Sequence, residues 1–118
     1  MENELKERLQ ELVKILKVYN DIVKNLNNFC NKHKTNLSEK EYKKIFGKLE
    51  KLLKEYDKIK LDLFNNLVEV SKDIKKGFIN KNTIKLIDKS LKSFQRLNKL
   101  IFEIERSSIE SIRRLYKI

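Results

Sequence analysis

Leu37-Ser38-Glu39-Lys40-Glu41-Tyr42 reads as the start of a helix, and the rest of the chain falls into order on either side of it. Ser38 is placed to accept a bond from the Glu41 amide, and the Glu41 side chain to return one to Ser38, which is a capping box. Leu37 before the cap and Tyr42 after it are spaced as a hydrophobic staple. Immediately upstream, His33-Lys34-Thr35-Asn36 is a polar turn. One long helix therefore ends near Lys32 and another begins at Ser38.

Downstream of the cap, two seam positions continue to about residue 75. Tyr42, Leu49, Tyr56, Leu63 and Val70 hold one, while Ile45, Leu52, Ile59, Leu67 and Ile74 hold the other. Upstream, over about residues 3–32, Leu5, Leu9, Leu12, Leu16, Tyr19, Val23, Leu26 and Cys30 alternate spacings of four and three, as in a coiled coil. Val13, Ile15, Ile22 and Phe29 widen that stripe, so the first helix is expected to touch two neighbours.

A second break falls at Lys76-Gly77-Phe78-Ile79-Asn80-Lys81-Asn82. Gly77 suits the left-handed residue that follows a helix end, and Asn80 or Asn82 can cap the next helix. That helix spans about residues 83–117. Ile84, Ile87, Leu91, Phe94, Leu97, Ile101, Ile104, Ile112 and Leu115 form its apolar stripe. Lys85, Lys92, Lys99, Arg106 and Arg113 recur every seven residues behind it, with Lys89 and Arg96 beside them. Three helices of matched length joined by short loops predict an all-α fold: an elongated antiparallel, up-down-up bundle with coiled-coil-like packing. Residues 1–118 are expected to form a single helical domain.

Composition agrees with this reading. The 118 residues contain no proline and only two glycines, too few turn formers for a β-rich fold. Regular apolar spacing argues against disorder despite a charged fraction of 38%. The net charge is +11, and it is unevenly spread. Residues 1–35 carry +2, residues 36–76 carry +3, and residues 77–118 carry +6. Such an excess suggests an anionic partner. The chain also has no alanine and uses lysine freely, a palette that an AT-rich codon bias would give by itself. No apolar run is long enough to insert in a membrane, and Met1-Glu2-Asn3-Glu4-Leu5 is unlike a signal peptide, so a cytoplasmic location is expected.

Nothing in the sequence assembles a catalytic set, and no enzymatic activity, cofactor or metal is expected. The lone cysteine, Cys30, sits on a seam as a buried thiol would. The lone histidine, His33, is expected to be a solvated loop residue. Tyr42 and Tyr56 fall on the seam, as core residues do, and apart from the lysines that would accompany a base-stacking surface.

The last helix contains Leu97-Asn98, Ile104, Ser108-Ile109 and Ile112-Arg113-Arg114-Leu115. This order resembles the C-terminal helix of the FlgN-type flagellar export chaperones. There a Leu-Asn pair precedes an apolar pair, a small polar residue and a hydrophobic stretch containing arginine. Where that family often has a second Asn followed by Gly, this chain has Ile101 and Phe102. The resemblance implies a cytoplasmic type III export chaperone that shields a helical segment of a hook–filament junction protein. The partner-binding residues it implies are Leu97, Asn98, Ile101, Ile104, Ser108, Ile112 and Leu115. Ser107, Ser108 and Ser111 interrupt the apolar stripe there. They would either loosen the helix for partner exchange, or face solvent, or fit a tight helix crossing.

Two other functions fit the pattern. A basic helical protein could bind nucleic acid by setting Lys85, Lys89, Lys92, Arg96, Lys99, Arg106 and Arg113 against phosphates. A structural coiled-coil subunit could pair with its own copy through the seams, as a homodimer.

Overall fold

The computed structural model describes residues 2–117, and Met1 and Ile118 lie outside that range. It consists of three helices, α1 (Glu2–Lys34), α2 (Glu39–Lys75) and α3 (Lys81–Tyr116). They form an elongated bundle of 55 × 20 × 19 Å. The long dimension matches the length of α2 at 1.5 Å per residue. The fold is the expected all-α helical bundle.

The loops are built as the local chemistry dictates. The Glu41 amide donates to Ser38 Oγ at 3.2 Å, and Leu37 is half-buried on the core beside buried Tyr42. The reciprocal capping box forms at the next helix instead. There the Thr83 amide donates to Asn80 Oδ1 at 3.0 Å and the Asn80 amide to Thr83 Oγ1 at 3.3 Å. Gly77 has φ 66, with its amide donating to the Ile74 carbonyl and the Phe78 amide to that of Asp73. That pair of bonds is a Schellman motif, and its left-handed residue is the reason a glycine stands there.

Cross-helix bonds fix the directions. Ser111 and Arg114 of α3 donate to the carbonyls of Ile45 and Lys44 near the start of α2, while Thr83 donates to Asp73 near its end. α3 is therefore antiparallel to α2. Tyr56 donates to Asn20, and Lys34 pairs with Glu50, which makes α1 antiparallel to α2 as well.

The core follows the α2 seams closely. Tyr42, Leu49, Tyr56, Leu63 and Val70 are all buried, with Ile59, Leu67 and Ile74 from the second seam. Ile45 and Leu52 are only half-buried, and Phe46 and Leu53 are buried in addition. α1 contributes less: Leu16, Val23 and Cys30 are buried, its other seam residues are half-buried, and Val13 and Ile15 are exposed. α1 also continues through His33, expected to lie in a solvated loop. Its imidazole is half-buried, with ring centroids 4.6 Å from Phe29 and 5.7 Å from Phe46. Stacked on Phe46 and edge-on to Phe29, His33 carries the helix half a turn beyond Lys32.

Candidate partner-binding surface

The inner face of α3 differs from its apolar stripe. Buried positions at seven-residue spacing are Thr83, Ser90, Leu97, Ile104 and Ser111, joined by Leu100, Ile101 and Ser107. Ile84, Leu91 and Ile112 are exposed, and Ile87, Phe94 and Leu115 half-buried. The hydroxyls, not the outer isoleucines, mark the line that meets α2. A repeat of small polar residues flanking Leu97 and Ile104 was the sequence signal for it.

Three of the buried hydroxyls of α3 have a defined acceptor. Ser111 Oγ donates to the Ile45 carbonyl at 2.8 Å, Ser90 Oγ to Leu86 at 2.7 Å, and Thr83 Oγ1 to Asp73 Oδ2 at 2.7 Å. No buried side-chain polar atom among the described residues lacks a partner. The serines near the end of α3 thus belong to a tight crossing. Ser107 and Ser111 are packed inward, and Arg114 Nη1 donates to the Lys44 carbonyl at 3.1 Å. Ser108 stands apart, half-buried and donating to the Glu105 carbonyl.

The residues implied as partner-binding are consequently divided. Leu97, Ile101 and Ile104 are core, packed in the bundle. Asn98 is half-buried and accepts the Tyr19 hydroxyl at 2.5 Å, tying α1 to α3. Leu115 is half-buried on the core, whereas Ile112 is exposed. The structure does not gather these seven side chains on one open face. On the outer side of α3, Phe102, Ile109 and Tyr116 join Ile112 as exposed apolar residues.

The cationic residues Lys85, Lys89, Lys92, Arg96, Lys99, Arg106 and Arg113 are all exposed, and none is in an ion pair among the described residues. Lys89, Lys92 and Arg96 border a shallow depression that also contains Asp62, Asn65 and Asn66.

At the closed end of the bundle, Cys30 and Tyr42 are buried together. Burial raises the Cys30 thiol above its usual 9.0, with Glu50 adding to the shift and a bond from Tyr42 and the charge of Lys34 opposing it. Burial also raises the Tyr42 phenol, helped by Cys30 and Glu50. A thiol held protonated is a poor nucleophile, so Cys30 acts here as a packing residue. Among the described residues no three His, Cys, Asp or Glu side chains converge as a metal ion would require, and no helix is long and apolar enough to cross a membrane.

No protein-family model matches the chain, and no curated protein or solved structure matches it either.

Proposed function

We propose that this chain is a non-enzymatic, protein-binding helical bundle that works in the cytoplasm as an export chaperone, shielding a helical segment of a hook–filament junction protein. One observation carries the reading: large apolar side chains are left in solvent on a helix whose inner face is already fixed. Phe102 is 72% exposed and Ile109 53%, with Ile112 and Tyr116 exposed nearby. Positions 102, 109 and 116 recur at seven residues and 112 at one turn from 109 and 116, so all four lie on one side of α3. That is the anchor pattern by which one helix holds another. Leu97, Ile101 and Ile104 serve as the scaffold beneath it.

The test is capture of a candidate hook-junction protein by Phe102→Asp with Ile112→Asp. Both positions are exposed, so the variant should keep the helical circular dichroism of the parent. Capture should fall about tenfold or more. Undiminished capture by the folded variant would refute this placement.

A second reading rests on the seven cations of the α3 stripe, which are exposed and in no ion pair among the described residues. Contacts to phosphates alone would bind nucleic acid without sequence preference and with a steep salt dependence. Asp62 in the depression beside Lys92 weakens that surface. A gel-shift titration at low salt that shows no retarded DNA or RNA would remove the nucleic-acid reading.

A further inference from the structure

α1 and α2 enclose a groove that is open along one side of the bundle, on a different surface from the outer face of α3. It consists of two adjoining hollows, of about 510 and 570 Å³, which share Val13, Leu67 and Ser71. Their floor is apolar, supplied by Leu9, Val13, Leu61, Phe64, Leu67 and Val68. Phe64 is 60% exposed and Leu61 59%, unusually open for residues of their size.

The walls carry one sign of charge. Lys6, Lys14 and Lys17 stand on α1, Lys60 and Lys75 on α2, and no Asp or Glu lines either hollow among the described residues. Lys60 has a partner in Asp57 at 3.8 Å. Lys14, Lys17 and Lys75 are in no ion pair among the described residues. Along α1 the groove runs from Lys6 to Asn20, about 21 Å, which accommodates about four helical turns.

We propose that this groove takes an amphipathic helix of a partner protein, one with Asp and Glu on both flanks of its apolar face. The inference rests on the reading of the chain as a protein-binding bundle, and it adds a second surface and the charge of its occupant. An apolar floor between two lysine-bearing walls matches such a helix in both hydrophobicity and charge. A second copy of this chain fits badly, because each third of the sequence is itself net positive and lysines would face lysines. A nucleic acid would satisfy the walls and leave Leu61, Phe64 and Val68 without apolar contact.

The probes are two designed peptides of about 18 residues on the full chain, followed by fluorescence anisotropy and by methyl NMR. Both carry Leu and Phe at i, i+3, i+4 and i+7; one has Glu on the flanks and the other Lys. The Glu peptide should bind at least about tenfold tighter than the Lys peptide and shift the methyls of Val13, Leu61 and Val68. Phe64→Asp, at an exposed position, should weaken the Glu peptide about tenfold or more. Replacing Lys14, Lys17 and Lys75 together by Glu should reverse the preference.

Equal affinity for the two peptides, or no binding of the Glu peptide at about 1 mM, would overturn the proposal. So would shifts confined to Ile109 and Ile112, which would relocate helix binding to α3 and leave the chaperone reading standing. Phosphatidylglycerol vesicles that bind the chain and lose binding on Phe64→Asp would assign the groove to a membrane instead. The capture assay with the Phe102 and Ile112 variant judges the chaperone reading separately.

Discussion

α1 and α3 flank the same helix and carry similar apolar spacing, yet they pack against α2 to different depths. On α3, Leu97 and Ile104 are fully buried, and Thr83, Ser90, Ser107 and Ser111 are buried on either side of them. Among the described residues of α1, only Leu16, Val23 and Cys30 are buried. The size of the seam residues accounts for the difference. Small hydroxyl residues let two backbones approach; Ser111 then bonds the Ile45 carbonyl and Thr83 the Asp73 carboxylate on the facing helix, and Ser90 the Leu86 carbonyl of its own turn. The seam of α1 is mostly Leu, with Tyr19, and the separation of packed helices grows with the side chains at the contact. A helix held at that distance leaves a groove at its margin. Periodicity gives the face; residue volume gives the depth.

The largest expected effect tests that contrast directly. Leu97→Ala empties a site with no exposure at all, so it should cost about 3 kcal/mol of folding stability. Leu9→Ala, at a half-buried site on α1, should cost no more than about 1 kcal/mol. Urea denaturation of both variants measures the difference. Equal losses would mean that α1 is seated as firmly as α3.

A medium effect sharpens it. Ser111→Leu would overfill the α2–α3 crossing and remove the 2.8 Å bond to the Ile45 carbonyl. A loss of about 2 kcal/mol is expected. Val13→Leu enlarges a side chain by the open groove, where it meets no crossing, and should stay within about 0.5 kcal/mol of the parent. A neutral Ser111→Leu would show that the crossing is looser than its burial suggests.

How much of this was legible in the sequence follows the same division. The breaks at Ser38 and Gly77 were, because each acts through bonds within a few residues of itself, whereas α3 starts at Lys81 rather than 83 because Asn80, not Asn82, is its cap. So was the inner face of α2, where every member of the Tyr42 to Val70 seam is buried. The inner face of α3 was not. Its stripe runs through the large apolar residues, whereas the line of contact runs through Thr83, Ser90 and Ser111; a tight crossing is one of three sequence readings of Ser111, and its acceptor on α2 selects it. Residues matched to a chaperone helix divided for the same reason, since Leu97, Ile101 and Ile104 are needed by the core. His33 was misplaced because stacking on Phe46 connects residues from different helices. The α1–α2 groove was hidden altogether, because it combines stripe residues such as Leu9 and Leu67 with off-stripe ones such as Leu61 and Phe64 from two separate helices.

The smallest effect concerns what fastens α1 where its apolar contact is shallow. Tyr56 is fully buried and donates to Asn20 Oδ1 at 2.7 Å, bridging α2 to α1. Burial raises its phenol above the usual 10.0, with Asp57 and Tyr19 adding to the shift. A raised folded-state value means that the folded chain holds the proton more tightly than the unfolded chain. The stability this contributes is complete below pH 10.0 and is lost as pH rises toward the folded-state value. Cys30 and Tyr42 are raised in the same direction, from 9.0 and 10.0. The parent should therefore weaken on the alkaline side, beginning above about pH 9. Tyr56→Phe removes both the bond and one of these titrations. At neutral pH it should be about 1 kcal/mol less stable than the parent. The gap should close as pH approaches about 11, because the parent loses an advantage that the variant never had. Urea midpoints measured across that range decide the matter. A gap that stays constant would mean the phenol ionises as readily in the folded chain as in the unfolded one, and no gap at neutral pH would mean that Tyr56 holds α1 by packing alone.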